Sequence, residues 1–267
     1  MEYHVIDAFT DKMFGGNPAG VCLLDSWPPH DVLQNIATEN NLSETAFIVE
    51  QDGYYELRWF TPLLEVDLCG HATLASAFVL FSEKEKHAQS LSFKSMSGIL
   101  TVSKKDEILY LDFPATPVSP CPTYPIFEKS LGIKPVAAYH SIDFLLLLES
   151  EECLRKVQPD FALLKQIKSE AGLQHDCLGI IITAAGSDCD FVSRYFAPNA
   201  GVDEDPVTGR AHCSLIPFWK DRLAKKQMLA RQLSKRGGLL FCEDCDTRVK
   251  IGGNAVRYLK GSIEIEY

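Results

Sequence analysis

The chain lacks a long apolar run, a basic N-terminal region and a stripe of basic residues. Its longest apolar stretches, such as Phe144 to Leu148 and Leu178 to Ile182, have the length of a strand and are far too short to span a membrane. The first residues read as a strand and not as a signal peptide. These absences predict a cytoplasmic protein that does not contact membranes.

Acidic residues outnumber basic ones, 36 to 26, which gives a formal net charge of −10. A polyanion is repelled by this charge at long range, so the composition argues against nucleic-acid binding. A small acidic molecule remains compatible with it. A few hydrogen-bond donors close to the bound anion outweigh the repulsion from the net charge of the protein, because salt screens that repulsion beyond about 8 Å.

The nine cysteines form neither a closed disulfide framework nor a zinc motif. Their number is odd, and no secretion signal accompanies them, which favours reduced thiols. One Cys-x-x-Cys pair, Cys242 and Cys245, has no second Cys or His pair at zinc spacing. It lies between strand-like runs at 238–241 and 247–251, which predicts a hairpin turn there. We therefore predict no metal site and no redox role at this pair.

The 267 residues are 46% hydrophobic and 23% charged, which is typical of one large or two ordinary globular domains. β-Branched and aromatic runs predict strands at 3–9, 20–24, 45–50, 54–60, 91–94, 99–103, 108–113, 137–140, 144–148, 178–183 and 190–196. Helical spacing predicts helices at 31–40, 70–81, 161–171 and 209–223. The helix at 70–81 is apolar nearly all round, which predicts that it is buried.

A proline-rich segment divides the chain. Residues 114–125 contain five prolines, a density that disfavours both helix and sheet, so we predict an extended linker. The predicted domains are then 1–113 and 126–255. The last run, 256–267, is expected to return to the first domain.

An internal repeat supports this division. Phe60-x-Pro62 to Asp67 matches Phe196-x-Pro198 to Asp203 at an offset of 136, and Gly70-x-Ala72 matches Gly209-x-Ala211 at an offset of 139. Each copy contains a strand, a Phe-x-Pro turn and a glycine that begins a helix. Such a repeat predicts two similar domains, each with a buried central helix. A chance match over about ten residues is the alternative.

The helices that begin at Gly70 and Gly209 present unpaired backbone N–H groups, which suit a carboxylate. If the two domains face each other, both helix ends meet in one interdomain cleft. The alternative is that both glycines only permit close helix packing. Polar residues that suit acid–base chemistry lie beside these glycines: Cys69, His71, Asp205, Arg210 and His212. By composition alone, Glu44 is a surface carboxylate at the start of a strand.

Several motifs together resemble the PhzF-like (phenazine biosynthesis isomerase) family, a branch of the diaminopimelate epimerase and proline racemase fold. They are Gly16-Asn17-Pro18-Ala19, Asn41-Leu42-Ser43-Glu44-Thr45-Ala46-Phe47, Asp67-Leu68-Cys69-Gly70-His71-Ala72-Thr73, Glu204-Asp205-Pro206-Val207-Thr208-Gly209 and, more weakly, Arg236-Gly237-Gly238. The resemblance covers the whole chain. It implies an α/β (α+β) fold of two similar domains, each a curved, mostly antiparallel sheet wrapped around a central helix.

The resemblance also implies roles for individual residues. Glu44 would carry the proton as the acid/base, and His71 and Asp205 would assist it. The resemblance implies that the substrate site is lined by Asn17, Gly70, Gly209, Arg236, Gly237 and Gly238. We add Arg210 and His212 to the predicted substrate-binding residues because they lie beside Gly209 in the repeat. The implied reaction is a cofactor-independent proton shift on a small carboxylated metabolite, and the implied assembly is a homodimer.

One departure from the family is Arg210, where the family usually has serine; a guanidinium there can bind a carboxylate or point to solvent. A second feature bears on mechanism. The related epimerases use two cysteines, one from each half of the chain. Here the first of these positions is Cys69, but the matching stretch of the second copy contains Asp205 and Thr208 and no cysteine. Two alternatives therefore stay open: an amino-acid epimerase or racemase that uses Cys69 as a thiol, and a non-catalytic binding module.

Overall fold

The computed structural model describes residues 1–170 and 178–265, with the side chains of residues 168 and 170 excepted. Its elements fall into two compact units. The first consists of Met1–Phe113 together with the segment that starts at Lys250, and the second is Pro114–Val249. Both units combine sheet with a few helices. Among the described residues, no helix has the length and apolar character needed to cross a membrane.

The first unit is built mainly from antiparallel strands. Its elements in chain order are β1 (Glu2–Ala8), β2 (Asn17–Leu24), α1 (His30–Asn40), β3 (Glu44–Gln51), β4 (Tyr54–Phe60), β5 (Glu65–Val66), α2 (Gly70–Glu83), β6 (Ser90–Ser95), β7 (Gly98–Lys105) and β8 (Ile108–Pro114). Two pairs of strands in this unit are parallel, β2 with β3 and β4 with β6, and a helix connects the strands of each pair, α1 in the first and α2 in the second. This is the connection that parallel pairing requires.

The second unit repeats this pattern. Its elements in chain order are β9 (Ser119–Cys121), α3 (Pro125–Leu131), β10 (Ala137–His140), β11 (Phe144–Leu147), α4 (Glu151–Lys156), α5 (Phe161–Leu164), α6 (Ile167–Glu170), β12 (Ile180–Ala185), β13 (Phe191–Ala197), β14 (Val202–Asp205), α7 (Gly209–Leu223), β15 (Gln227–Gln232) and β16 (Gly238–Cys245). The strand β17 (Arg248–Gly253) begins in this unit and continues into the first, where β18 (Ala255–Ser262) follows. The strand β11 runs parallel to β12, and β13 runs parallel to β15 across α7.

The internal repeat is visible in these elements. The strand β4 turns into the short antiparallel strand β5 before α2 begins, and β13 turns into β14 before α7 begins. Both helices are largely buried, with ten of the 14 residues of α2 and nine of the 15 residues of α7 in the interior. The sequence prediction of a buried helix behind each glycine is therefore confirmed.

The linker prediction was wrong in part. Within 114–125, residues Ser119–Cys121 form β9, which pairs with β10, and Pro125 is the first residue of α3. A strand of three residues tolerates Pro120 because only one N–H is lost, and proline suits the first turn of a helix. The backbone N–H of Ala115 donates to Thr247 O at 3.0 Å, and that of Thr116 donates to Cys213 O at 2.9 Å. These bonds place the segment in the second unit.

Other boundaries also differ from the prediction. The second unit ends at Val249 and not at 255, because the chain beyond it bonds to the first unit; the Thr10 N–H donates to Asn254 O at 3.2 Å. The returning strand β18 pairs with β1 and ends at Ser262, and 266–267 lie outside the described residues. The helix predicted at 161–171 is two short helices, and Ala171 also lies outside the described part.

The Cys-x-x-Cys pair is not a turn. Cys242 and Cys245 are both in β16, and the turn follows at Asp246 and Thr247. Residues three apart on a strand point to opposite faces of the sheet. In this conformation the two sulfur atoms therefore do not face one another across a common site.

Candidate active site

The first unit gathers three residues, Asn17, Glu44 and Cys69, around the imidazole of His71. His71 is the second residue of α2, and Cys69 immediately precedes that helix. Glu44 is the first residue of β3, and Asn17 is the first residue of β2. The strands β2 and β3 run parallel, with Ala19 opposite Glu44, so both begin at the same edge. The fold thus brings together residues up to 54 positions apart in the chain.

The contacts at His71 are short. Glu44 Oε2 lies 3.2 Å from His71 Nε2. On the other side of the ring, the side-chain amide nitrogen of Asn17 lies 3.2 Å from Nδ1, and Cys69 Sγ lies 3.5 Å from Nδ1. Asn17 is wholly buried, and His71 and Cys69 nearly so, whereas the Glu44 side chain is 18% exposed. Glu44 is therefore the member of this group that solvent reaches most readily.

The local backbone explains how Asn17 reaches the site. Gly16 has a positive φ of 61°, a conformation in which glycine carries no steric cost. A Cβ at this position would collide with the carbonyl oxygen of Ala8. The glycine therefore lets the chain turn sharply before Asn17, which then enters β2 as a buried residue.

Charge within this group favours protonation of His71. Burial lowers the pKa of the imidazole, but the neighbouring acidic groups of Cys69 and Glu44 outweigh burial and raise the pKa of His71 well above its ordinary value. Burial also raises the pKa of the Cys69 thiol, and Glu44 raises it further.

The second unit gathers the Asp205 and Arg236 motifs around Gln232. The Thr208 hydroxyl donates to the Asp205 carboxylate. Gln232 is wholly buried; its Oε1 accepts from the Thr208 N–H at 2.9 Å, and its Nε2 donates to Asp205 O at 2.8 Å. The Ser234 hydroxyl donates to Pro206 O at 2.8 Å, and the Gly237 N–H donates to Ser234 Oγ at 3.0 Å. Together these bonds fix the Asp205 loop against the loop of Arg236, Gly237 and Gly238.

Both central helices have uncapped N-termini. The residues before them, Cys69 and Thr208, are extended, and their side chains accept no hydrogen bond from the N–H groups of the helix that follows. Neither first turn contains an acidic residue. The helices begin at Gly70 and Gly209. Their dipoles are therefore not neutralised by the side chains of their own first turns, a state that suits an anionic ligand.

Arg210 is held by a buried ion pair. Its Nη2 donates to Asp143 Oδ1 at 2.8 Å and Oδ2 at 2.9 Å, and it lies 3.3 Å from the Tyr195 hydroxyl. Burial raises the pKa of Asp143, and Arg210 opposes that effect. The Asp143 side chain is 6% exposed and that of Arg210 is 32% exposed. The guanidinium is therefore anchored at one nitrogen and partly open to solvent.

Comparison with known proteins gives the family. The profile of the PhzC-PhzF family, described as phenazine biosynthesis-like protein, matches residues 6–261. This chain belongs to the phenazine biosynthesis-like family. An uncharacterized isomerase of Pseudomonas aeruginosa is 50% identical over 266 residues, which cover 99% of each protein. A PhzF-family crystal structure from Enterococcus faecalis has a TM-score of 0.94 and 47% identity, with 99% of each chain covered.

A more distant structure shows how widely the fold is shared. A hydroxyproline epimerase from Agrobacterium vitis matches with a TM-score of 0.61 at 9% identity, over 98% of this chain and 91% of that chain. At this identity the match concerns the fold alone. The predicted α/β fold of the epimerase type is thus confirmed, and the chain is a member of an isomerase family.

Three polar residues of this PhzF-like protein were missed by sequence reasoning: Gln232, Asp143 and Tyr195. The burial pattern of β15 alternates, so Met228, Ala230 and Gln232 share its buried face. A glutamine among the apolar residues of a buried strand face indicates a special role. This indication could not be used for Gln232, because the strand β15 was not predicted. Asp143 and Tyr195 lie in no motif, and only the fold brings them to Arg210.

His212 is a correction to the predicted substrate-binding set. Its side chain is wholly buried in the second unit; Nδ1 bonds to Thr208 O at 2.8 Å, and the ring lies 6.0 Å from that of Phe191. Nε2 is buried and has no hydrogen-bond partner in the described part of the chain. We therefore assign His212 a structural role in place of a substrate contact.

Burial of His212 predicts a loss of stability in acid. Burial lowers the pKa of His212 from 6.5 to about 4. Between these pH values the unfolded chain binds a proton that the folded chain does not, so stability falls as the pH falls through this window. The gap corresponds to about 3 kcal/mol. Urea denaturation across the window should show this component in the wild type and in His87→Gln, an exposed control, but not in His212→Gln. Equal pH profiles of all three proteins would contradict it.

Proposed function

We propose that this protein is an isomerase that shifts a proton on a small carboxylated metabolite, with Glu44 as the acid/base. The observation that carries the proposal is the Glu44–His71 pair, with Oε2 3.2 Å from Nε2 at the edge where β2 and β3 begin. A carboxylate that is only partly exposed and lies beside a basic imidazole suits general acid–base catalysis. The isomerases among the relatives support the reaction class.

Each side chain of the first unit has a part in this reaction. Glu44 removes a proton from the carbon acid and returns it to another carbon, while His71, held by Asn17, orients the carboxylate and stabilises its charge. Protonated His71 also has a proton to donate to the developing enolate. In the second unit, Asp205 is proposed to assist, and Gln232 and Thr208 keep its loop in place.

The N-terminus of α2 at Gly70, in the first unit, is proposed to bind the substrate carboxylate, and the N-terminus of α7 at Gly209 offers the same kind of anion site in the second unit. Backbone N–H groups and the helix dipole stabilise an anion there without a charged side chain. In the second unit, Arg210 and the loop of Arg236, Gly237 and Gly238 are further proposed substrate-binding groups. The reaction as proposed needs no organic cofactor, because the acid, the base and the anion site are all protein groups.

Solvent exchange tests this function with a panel of compounds in place of one chosen substrate. The protein is incubated in D₂O with a set of amino acids and cyclic amino or hydroxy acids, and each compound is then analysed by NMR and mass spectrometry. We expect deuterium to enter one compound class at carbon. A protein that binds panel members, as judged by raised thermal stability, but catalyses no exchange would support the binding-module alternative.

A thiol mechanism is the second candidate, because Cys69 Sγ lies 3.5 Å from His71 Nδ1. Its raised pKa makes the thiol a poor base at neutral pH. We therefore expect Cys69→Ser to keep its exchange rate within about ten-fold of the wild type, since Glu44 still transfers the proton. Complete loss in Cys69→Ser, or in the wild type after thiol alkylation that is confined to Cys69, would favour the epimerase or racemase alternative.

A further inference from the structure

The two ring nitrogens of His71 face groups of opposite hydrogen-bonding character. Glu44 Oε2 lies 3.2 Å from Nε2, and an ionised carboxylate only accepts hydrogen bonds. The side-chain amide nitrogen of Asn17 lies 3.2 Å from Nδ1, and an amide N–H only donates. A neutral imidazole has one donor nitrogen and one acceptor nitrogen. These contacts therefore fit the neutral ring with its proton on Nε2, beside Glu44.

A protonated His71 needs a different group at Nδ1. Both nitrogens of an imidazolium carry a proton, so an amide N–H at Nδ1 would face another donor. The amide of Asn17 also has an oxygen, and a half-turn about the last side-chain torsion puts that oxygen where the nitrogen lies. Terminal torsions of this kind are roughly two-fold, so the exchange does not require β2 to move. One side chain can thus satisfy both forms of the ring.

We propose that Asn17 is the positioning residue that lets His71 gain and lose a proton within a buried site. When the ring is neutral, the amide N–H of Asn17 donates to Nδ1. When the ring is an imidazolium, the amide oxygen accepts from the Nδ1 proton. The part of this inference that concerns the reaction rests on the proposed function, because the imidazolium that donates to the substrate is the form that needs the Asn17 oxygen.

Burial makes this partner of His71 necessary. Asn17 is wholly buried and His71 is 5% exposed, and a buried N–H that loses its acceptor is destabilising. Asn17 is also fixed in the sheet, because it begins β2 and lies opposite Ala8 of β1. A side chain in this position acts on the reaction through His71, without contact with the substrate.

The other groups around the imidazole do not decide the state of Nδ1. In the described part of the chain, the titratable groups that act on His71 are Glu44, on β3, and Cys69, which precedes α2. Glu44 faces Nε2, which carries a proton in both forms of the ring. Cys69 Sγ lies 3.5 Å from Nδ1, but a thiol is a weak donor and a weak acceptor. The choice between donor and acceptor at Nδ1 therefore falls to Asn17.

Titration of His71 by NMR tests this role on the full chain without a substrate. Protein labelled with ¹⁵N-histidine is titrated from mildly acidic to alkaline pH, and comparison with His71→Gln identifies the signals of this ring. Asn17→Leu has a similar shape but offers neither a donor nor an acceptor, so the imidazolium loses its acceptor at Nδ1. We expect the midpoint of the His71 titration in Asn17→Leu to lie at least about one pH unit below that of the wild type.

Asn17→Asp should move the midpoint in the opposite direction. Its carboxylate always presents an acceptor to Nδ1 and adds a negative charge, so the ring should stay protonated to a higher pH than in the wild type. This variant serves as the test if Asn17→Leu does not fold. Asn199→Asp is the matched control, because it makes the same change at an exposed residue of the second unit. The control should leave the midpoint of His71 unchanged.

Three results would overturn the role of Asn17. They are a midpoint in Asn17→Leu at or above that of the wild type, a midpoint in Asn17→Asp below it, and a neutral wild-type ring that carries its proton on Nδ1.

The D₂O exchange assay then separates this role from the proposed function. In Asn17→Leu, the fall of the exchange rate on the alkaline side should move to lower pH together with the NMR midpoint, and the rate at about pH 8 should drop by at least about 10-fold. Shifted midpoints without exchange in the wild type would support the role of Asn17 and contradict the proposed function. Unshifted midpoints, with exchange that depends on Glu44, would contradict the role of Asn17 alone.

Discussion

Replacing Glu44 with glutamine should lower the rate of carbon–hydrogen exchange by about 10²- to 10⁴-fold. Glutamine keeps the shape of the side chain and its position beside His71, but it does not accept a proton at neutral pH. The chemical step therefore loses its proposed base, while the fold is unchanged. Exchange into the compound found in the D₂O panel gives the rate, and thermal denaturation verifies that the variant is folded.

Glu50→Gln is the matched control. Glu50 lies in the same strand, β3, but its carboxylate is exposed and pairs with Lys84 at 2.8 Å on the surface. The same chemical change there should leave the exchange rate unaltered. A folded Glu44→Gln variant with the wild-type rate, or an equal loss in both variants, would remove Glu44 from the mechanism.

Arg210→Ser should reduce the free energy of unfolding by about 3 kcal/mol. Asp143 is 4% exposed, and Arg210 is the cation that pairs with its carboxylate. Removal of one partner leaves a buried charge without compensation. The loss of stability in Arg210→Ser therefore comes from the buried Asp143 carboxylate that is left unpaired, and not from the contacts of the partly exposed guanidinium.

A double-mutant cycle separates this effect from a simple loss of contacts. Adding Asp143→Asn to Arg210→Ser removes the stranded charge and should recover at least half of the lost stability. The deficit of Arg210→Ser should also be smaller at about pH 5 than at about pH 8. Burial raises the pKa of Asp143 above its value in the unfolded chain. The folded protein therefore holds this proton more tightly than the unfolded chain, and the stability that the proton contributes is lost as the pH rises through the folded pKa. Strictly additive losses, together with a deficit that does not vary with pH, would contradict the coupling.

Local sequence patterns predicted the elements that carry their own signals. The all-apolar run after Gly70 predicted a buried helix, and ten of its residues are buried. The helix predicted at 209–223 has the same bounds in the structure. The repeat could be read because strand, turn and glycine are local features. The motif around Glu44 indicated a special residue only through its resemblance to a family, since a carboxylate at the start of a strand is common on protein surfaces.

The parts that could not be predicted depend on distant contacts. The strand β15, with sequence Gln-Met-Leu-Ala-Arg-Gln, is rich in helix-forming residues and becomes a strand by pairing with β13 and β16. Gln232 was missed with it. The role of Arg210 was left open because Asp143 is 67 positions away in the chain. His212 was placed with the substrate-binding residues because it lies one turn from a glycine that begins a helix, but its ring points into the core.

The most direct test of the account compares exchange into one compound by the wild type, Glu44→Gln and Cys69→Ser, in D₂O at saturating concentration. Saturation removes differences in affinity, so the rates report the proton-transfer step alone. The account predicts similar rates for the wild type and Cys69→Ser, and a rate at least about 100-fold lower for Glu44→Gln. The reverse order, with Glu44→Gln active and Cys69→Ser inactive, would contradict the claim that Glu44 transfers the proton.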